Sequence, residues 1–178
     1  MTKVSLTTFT LIYSTLILFI YYYEYYYFNK GCPEGWTPFG TRCFKFFDSK
    51  LTWTNAEKSC QSHGANLASI HSIEENKFIV DLIKKATGEN RQTFIGGHDA
   101  VQDNLWMWSD GSVWDYANWG KGEPNNAAGK ENCLEINFPE TLWNDVPQTL
   151  TLNYICSKDA SLKVTLGDLQ CRCIPNNN

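Results

Sequence analysis

The sequence predicts an α+β domain, on three observations. Two stretches carry helical periodicity, and both end before Glu89. From Thr93 onward the period shortens to that of strands, in short aromatic runs broken by Gly, Pro and Asn. Helices grouped together and followed by a run of strands are the mark of antiparallel sheets with segregated helices, not of alternating βαβ units. A chain of 178 residues with seven Trp suffices for one domain with a sizeable core. The net charge of -4, with no Lys/Arg block, argues against a nucleic-acid partner, since phosphate binding needs a basic face.

The chain opens with Met1-Thr2-Lys3 and an uncharged stretch from Val4 to Tyr23, followed by a tyrosine cluster to Tyr27. A membrane span needs about twenty apolar residues and favours Tyr at its ends, whereas a secretory signal has a shorter core and a small-residue cleavage site. Residues 1–30 therefore read as an uncleaved signal-anchor of type II orientation ahead of a cleaved signal. Either route puts the downstream cysteines on the extracellular side.

Gly31 to Gly40 is too rich in Gly and Pro for a helix and opens the domain as strand and turn. Cys32 and Cys43 flank it and could close a small loop; Cys43 to Phe47 is a strand. Thr52 to Ser62 is the first helix, with Trp53, Ala56 and Cys60 on one face and Gly64 as terminator. Ser72-Ile73-Glu74-Glu75 is a capping box for the second, whose apolar stripe is Ile73, Phe78, Ile79, Leu82 and Ile83, and which Gly88 stops. Thr93 to Gly97 and Leu105 to Trp108 are short strands, and Ser109-Asp110-Gly111-Ser112 is a hairpin turn. Cys133 to Phe138 and Asn153 to Cys156 alternate as half-buried strands. The tail, 159–178, matches no element.

Seven cysteines without a C-x2-C pair point to disulfides in an oxidising compartment, and the odd count leaves at least one without an internal partner. The chemistry concentrates in Glu123-Pro124-Asn125-Asn126-Ala127-Ala128-Gly129-Lys130-Glu131-Asn132-Cys133 and Trp143-Asn144-Asp145. Taken singly, each piece is an ordinary turn, because Pro, Asn and Gly are turn formers. Together they offer carboxylates from Glu123, Glu131 and Asp145 and amide oxygens from Asn125 and Asn144, the hard donors that Ca²⁺ takes in sixes to eights.

Gly35-Trp36, Cys43, Cys60, Phe94-Ile95-Gly96-Gly97, Trp106-x-Trp108-Ser109-Asp110-Gly111, Asn118-Trp119, Glu123-Pro124-Asn125, Cys133, Trp143-Asn144-Asp145 and Cys156 resemble the long form of the C-type lectin-like domain over residues 31–158. The compact chain is most similar to fish lectins and type II antifreeze proteins. The resemblance implies two helices, antiparallel sheets and a long calcium-binding loop region. It implies a calcium ion held by Glu123, Asn125, Glu131, Asn144 and Asp145, the same side chains binding a vicinal pair of sugar hydroxyls. Glu-Pro-Asn resembles the mannose-type arrangement (mannose, fucose, N-acetylglucosamine), and Gln-Pro-Asp would resemble the galactose type. The Glu123–Pro124 bond is expected to be cis.

A second calcium position would map to Asp99, Asp103, Asn126 and Asn132, sharing Glu131. Two usual acids are amides here, which weakens it. The family's bridges would be Cys32–Cys43 and Cys60–Cys156. The expected partner of Cys133 is replaced by Gln148, leaving Cys133 free or paired with Cys171 or Cys173, which could instead link chains into a disulfide-bonded homo-oligomer.

The partners implied are glycans on cell or microbial surfaces, with a membrane only through the N-terminal segment. Each site is shallow, so avidity would come from several copies. The same fold also serves ice binding, for which Thr141, Thr149 and Thr151 are the candidates, and protein or toxin functions. An enzyme is not expected: His63, His71 and His98 form no zinc motif, and neither a nucleophile elbow nor a P-loop is present.

Overall fold

A computed structural model describes residues 16–18 and 30–162. The readings of the N-terminal segment and of Cys171 and Cys173 lie outside these residues. Among the described residues no helix is long and apolar enough to cross a membrane. The chain divides into two compact units, Pro33–Asp159 and the two ends, residues 1–32 with 160–178. In the second of these, β1 (Lys30–Gly31) pairs antiparallel with β10 (Ser161–Leu162).

Within Pro33–Asp159 the order is β2 (Thr37–Phe39), β3 (Arg42–Thr52), α1 (Trp53–Ser62), β4 (Asn66–Leu67), α2 (Ile73–Thr87), β5 (Thr93–His98), β6 (Met107–Trp108), a 3-10 turn (Ala127–Gly129), β7 (Cys133–Ile136), β8 (Trp143–Val146) and β9 (Thr151–Asp159). One sheet runs β2-β3-β9-β5-β7-β8, with β4 added to β9 and β6 to β5.

The two α-helices stand as expected, but the sheet is mixed and not wholly antiparallel. β5 pairs parallel with β9, through Thr93↔Asn153 and Phe94↔Tyr154. The strands that follow β5 bring the chain back to its edge by a long connection, which parallel neighbours require and short hairpins cannot supply. Asp110-Gly111 also departs from expectation. Gly111 turns at φ 78 and donates to the Trp108 carbonyl, yet the chain after it runs as loop and returns no strand.

α1 buries Ala56, Glu57 and Cys60. Cys60 is bridged to Cys156 on β9, closing a separation of 96 residues, and Cys32 and Cys43 are each in a disulfide as well. At the start of α2 the Ser72 side chain accepts from the Glu75 amide, and Gly88 closes the helix in the left-handed region, as the sequence predicts. The reciprocal half of the capping box is replaced. Glu75 accepts from the His71 amide and from Arg42 at 2.8 Å, because the guanidinium from β3 draws its carboxylate inward. Ile73, assigned to the stripe, is 66% exposed; Val80 takes a place in the core that the pattern missed.

The main core joins Phe44, Ile70, Ile79, Ile83, Ile95, Trp106, Trp108, Leu134, Ile136, Trp143 and Ile155. Trp143 is its hinge toward the loops. Its indole donates to Asn76 on α2 at 2.7 Å, and its ring meets Trp108, Trp114, Tyr116 and Trp119 edge to face. Each such aromatic pair adds about 0.5–1.5 kcal/mol beyond burial, so the loop carrying Trp114 to Trp119 is clamped to β8.

Candidate functional site

β8 is where the two predicted pieces meet. The backbone of residues 118–120 lies along it: Trp143 donates to the Asn118 carbonyl at 2.9 Å and Gly120 donates to the Trp143 carbonyl at 2.8 Å. Gly120 suits that approach, since a Cβ there would stand 3.3 Å from the Trp143 oxygen. Glu123 then turns back through a bond from its amide to the Gly120 carbonyl, and the Glu123–Pro124 peptide is cis. Phe138–Pro139 is a second cis bond that the sequence reading did not anticipate.

The loop is fastened to Asp145 by backbone hydrogen bonds. The Asn125 amide donates to one Asp145 oxygen at 3.0 Å and the Asn126 amide to the other at 2.7 Å. Asp145 is 1% exposed, so these amides replace solvent for a charge that burial would otherwise penalise. The Asn125 side chain donates to Glu123 Oε2 at 2.6 Å. Glu131 accepts from the Ala127 amide, and its own amide donates to Asn126 Oδ1. Asn126 and Ala128 reach positive φ in making this turn, and a short polar side chain tolerates it at the first of them.

Charge crowds here. The Glu123 carboxyl is pushed up from its ordinary value by burial, then by contact with the Asp145 carboxylate and by the charge of Glu131, with the Asn125 hydrogen bond opposing. Among the described residues none of Glu123, Glu131 and Asp145 is paired with a Lys or Arg. Three acids gathered without a cation repel one another, and a divalent ion relieves the repulsion. Among the described residues no three His, Cys, Asp or Glu side chains close a metal cage by themselves. Glu131 faces the Ala127 amide, and Asn144 turns its amide nitrogen to Glu135 Oε1 at 3.0 Å. The donor set is all oxygen and carries three negative charges, and in that chemistry it fits calcium.

In the second predicted set the Asp99 amide donates to the Asn132 carbonyl at 3.3 Å. Asp99 is buried, with Oδ2 accepting from the Asn104 amide and Oδ1 without a partner. Asp103 is exposed, Asn126 Oδ1 is taken by the Glu131 amide, and Asn132 Oδ1 lies beside Cys133 Sγ at 3.6 Å. Cys133 is free and 2% exposed, and burial, with the Asp99 charge, pushes its thiol up to about 12.

Glu135 is the residue the sequence reading passed over. The alternation predicts a half-buried strand at this position, but β7 lies between β5 and β8 with every residue buried. Its carboxylate is 1% exposed and lies cross-strand from Asn144; Oε1 also takes a longer bond from Gln92, at 3.4 Å, and Oε2 has no partner. Burial raises its carboxyl to about 7, with the Asn144 bond opposing and the Glu131 charge adding. An acid inside an apolar-flanked strand was the available signal.

The ice-binding candidates, Thr141, Thr149 and Thr151, are exposed but lie on a loop, a turn and the end of β9, with no two on one strand face. His98, at the end of β5, packs edge-on against Trp53.

Comparison with known proteins agrees with this architecture. Residues 49–158 match the family model of the lectin C-type domain. The galactose-specific lectin nattectin of Thalassophryne nattereri is 45% identical over 131 residues, covering 74% of this chain and 82% of that protein. Ladderlectin of Oncorhynchus mykiss is 53% identical over 119 residues, 66% of this chain, which spans less than two thirds of that protein, 63%. The herring type II antifreeze protein superposes with a TM-score of 0.68 at 37% identity, covering 73% of this chain and all of that one, 100%. A family of lectin domains, and not of enzymes, accounts for the fold, its disulfides and its motifs, and this chain belongs to the C-type lectin domain family.

Proposed function

We propose that residues 31–158 form a calcium-dependent, extracellular carbohydrate-binding module of the mannose type, with Glu123, Asn125, Glu131, Asn144 and Asp145 holding both ion and sugar. The observation that carries the reading is the acid cluster of Glu123, Glu131 and Asp145, crowded together without a Lys or Arg partner among the described residues. Calcium, when bound, supplies positive charge and open positions for hydroxyl lone pairs.

The protein's part is to arrange donors and acceptors around the sugar. Glu123 as a carboxylate can only accept and takes a hydrogen bond from a hydroxyl, while Asn125 donates one from its amide N–H to the same oxygen. In the present state these two groups satisfy each other at 2.6 Å, so a hydroxyl entering between them replaces one hydrogen bond by two. Glu131 and Asn144 serve the neighbouring hydroxyl in the same way. That order, acid first and amide second, favours adjacent equatorial hydroxyls of the mannose kind. The Cys60–Cys156 disulfide supports a location in an oxidising compartment. We assign residues 1–30 to a signal-anchor or signal.

The test is retention of the full chain on mannose and galactose resins, with calcium and with EDTA. Retention on mannose that EDTA abolishes is the expected result, and Glu123→Gln with Asn125→Asp is expected to move preference toward galactose. A galactose preference in the unaltered protein is the competing outcome, favoured by the likeness to nattectin, which is named as galactose-specific. Thermal hysteresis without sugar retention would favour ice binding, the function named for the herring neighbour.

A further inference from the structure

We propose that Glu135 is the positioning residue that fixes which face Asn144 turns to the ion, so that calcium affinity depends on a carboxylate that never touches calcium. This inference rests on the functional reading above, in which Asn144 is a ligand.

Glu135 and Asn144 are direct cross-strand partners on β7 and β8. The Asn144 amide nitrogen donates to Glu135 Oε1 at 3.0 Å, with both residues buried. An asparagine side chain has two ends, and only its oxygen can ligate a hard cation. Left to itself the amide could turn either end outward. Glu135 as a carboxylate removes that choice: Oε1 can then only accept, so it pairs with the nitrogen and not with the oxygen. Holding the nitrogen inward leaves the Asn144 oxygen, and the second amide proton, for the ion and the sugar.

Besides Asn144 the Glu135 carboxylate has little to hold. Gln92 reaches Oε1 only at 3.4 Å, and Oε2 is buried with no partner among the described residues. A buried acid with one unsatisfied oxygen is a cost to folding. Groups one step removed from a metal, which set the orientation of its ligands, typically change affinity by about 10–100-fold when altered.

The test is Glu135→Gln in the full chain. Glutamine keeps the size but presents either an oxygen or a nitrogen to Asn144, so the orientation is no longer dictated. Calcium affinity is measured by isothermal titration or by competition with a fluorescent chelator, and unfolding is measured in EDTA at pH 8. The expected result is about a 10–100-fold loss of calcium affinity with stability in EDTA no lower than that of the unaltered protein. Unchanged calcium affinity beside a calcium-binding wild type overturns the positioning role and leaves the lectin reading intact. A wild type that takes up no calcium at millimolar concentration overturns both. Should the variant fail to fold, the wild type itself reports: one Asn144 carboxamide proton is expected to be protected from solvent exchange in EDTA, and fast exchange of both would sink the proposal.

Discussion

Glu135 also makes a prediction about stability that needs no metal. Its carboxyl titrates from an ordinary 4.5 up to about 7 in the folded protein, mainly through burial. A raised carboxyl pKa means that the folded state keeps a proton which the unfolded chain has already lost. Stability contributed by this group is therefore fully present below about pH 4.5 and falls as pH rises to about 7. At 1.36 kcal/mol for each tenfold step, the loss across that window is about 3 kcal/mol. Glu135→Gln cannot ionise and escapes it. Whichever way the glutamine amide turns, one of its ends is left at the unpartnered Oε2 position, costing about 1–3 kcal/mol at every pH, so the absolute change at one pH is a poor measure. The difference between two pH values cancels that packing cost. Urea unfolding of both proteins in EDTA, at pH 4 and pH 8, should show the variant gaining about 3 kcal/mol relative to wild type between the two conditions. Other titrating groups change both proteins alike. A pH-independent difference between the two proteins would refute the reasoning, because it would mean that the buried carboxylate ionises in the fold as it does in water.

Three further outcomes are expected. Calcium at 10 mM, against a site of millimolar affinity, should stabilise the protein by about 1.4 kcal/mol and raise Tm by several degrees in calorimetry, and Asp145→Asn should largely erase that rise. Gly96→Ala should cost about 1–3 kcal/mol by overpacking, since its Cβ would meet the Leu67 carbonyl oxygen at 2.5 Å and Ser109 Oγ at 3.0 Å; urea midpoints measure it, and a neutral effect would show that β4 moves aside freely. The Cys133 thiol, buried and pushed up to about 12, should resist a chromogenic thiol reagent at pH 8 until the protein is denatured, whereas immediate labelling in the folded protein would contradict its burial.

Local chemistry made part of this molecule legible from its residues alone. Ser72 and Gly88 bound α2 because a hydroxyl and a left-handed glycine satisfy helix ends wherever they occur. Cys60 was placed inward by its spacing from Trp53 and Ala56, and it is fully buried in a disulfide. The acids and amides around Glu123 and Asp145 were visible as an oxygen-rich set, since ligand type is a property of the side chain.

Pairing between distant segments was not legible, because it is decided by which surfaces the whole chain leaves to be covered. The parallel contact of β5 with β9, the absence of a returning strand after Gly111 and the exposure of Ile73 all follow from that competition. Above all, Glu135 looked like the polar position of an alternating strand. Only the placing of β7 between two neighbours, under a packed core, turned that residue into a buried acid whose one good partner is Asn144. Sequence determined which groups could bind; the tertiary structure decided which of them are held, in what orientation, and at what cost in desolvation.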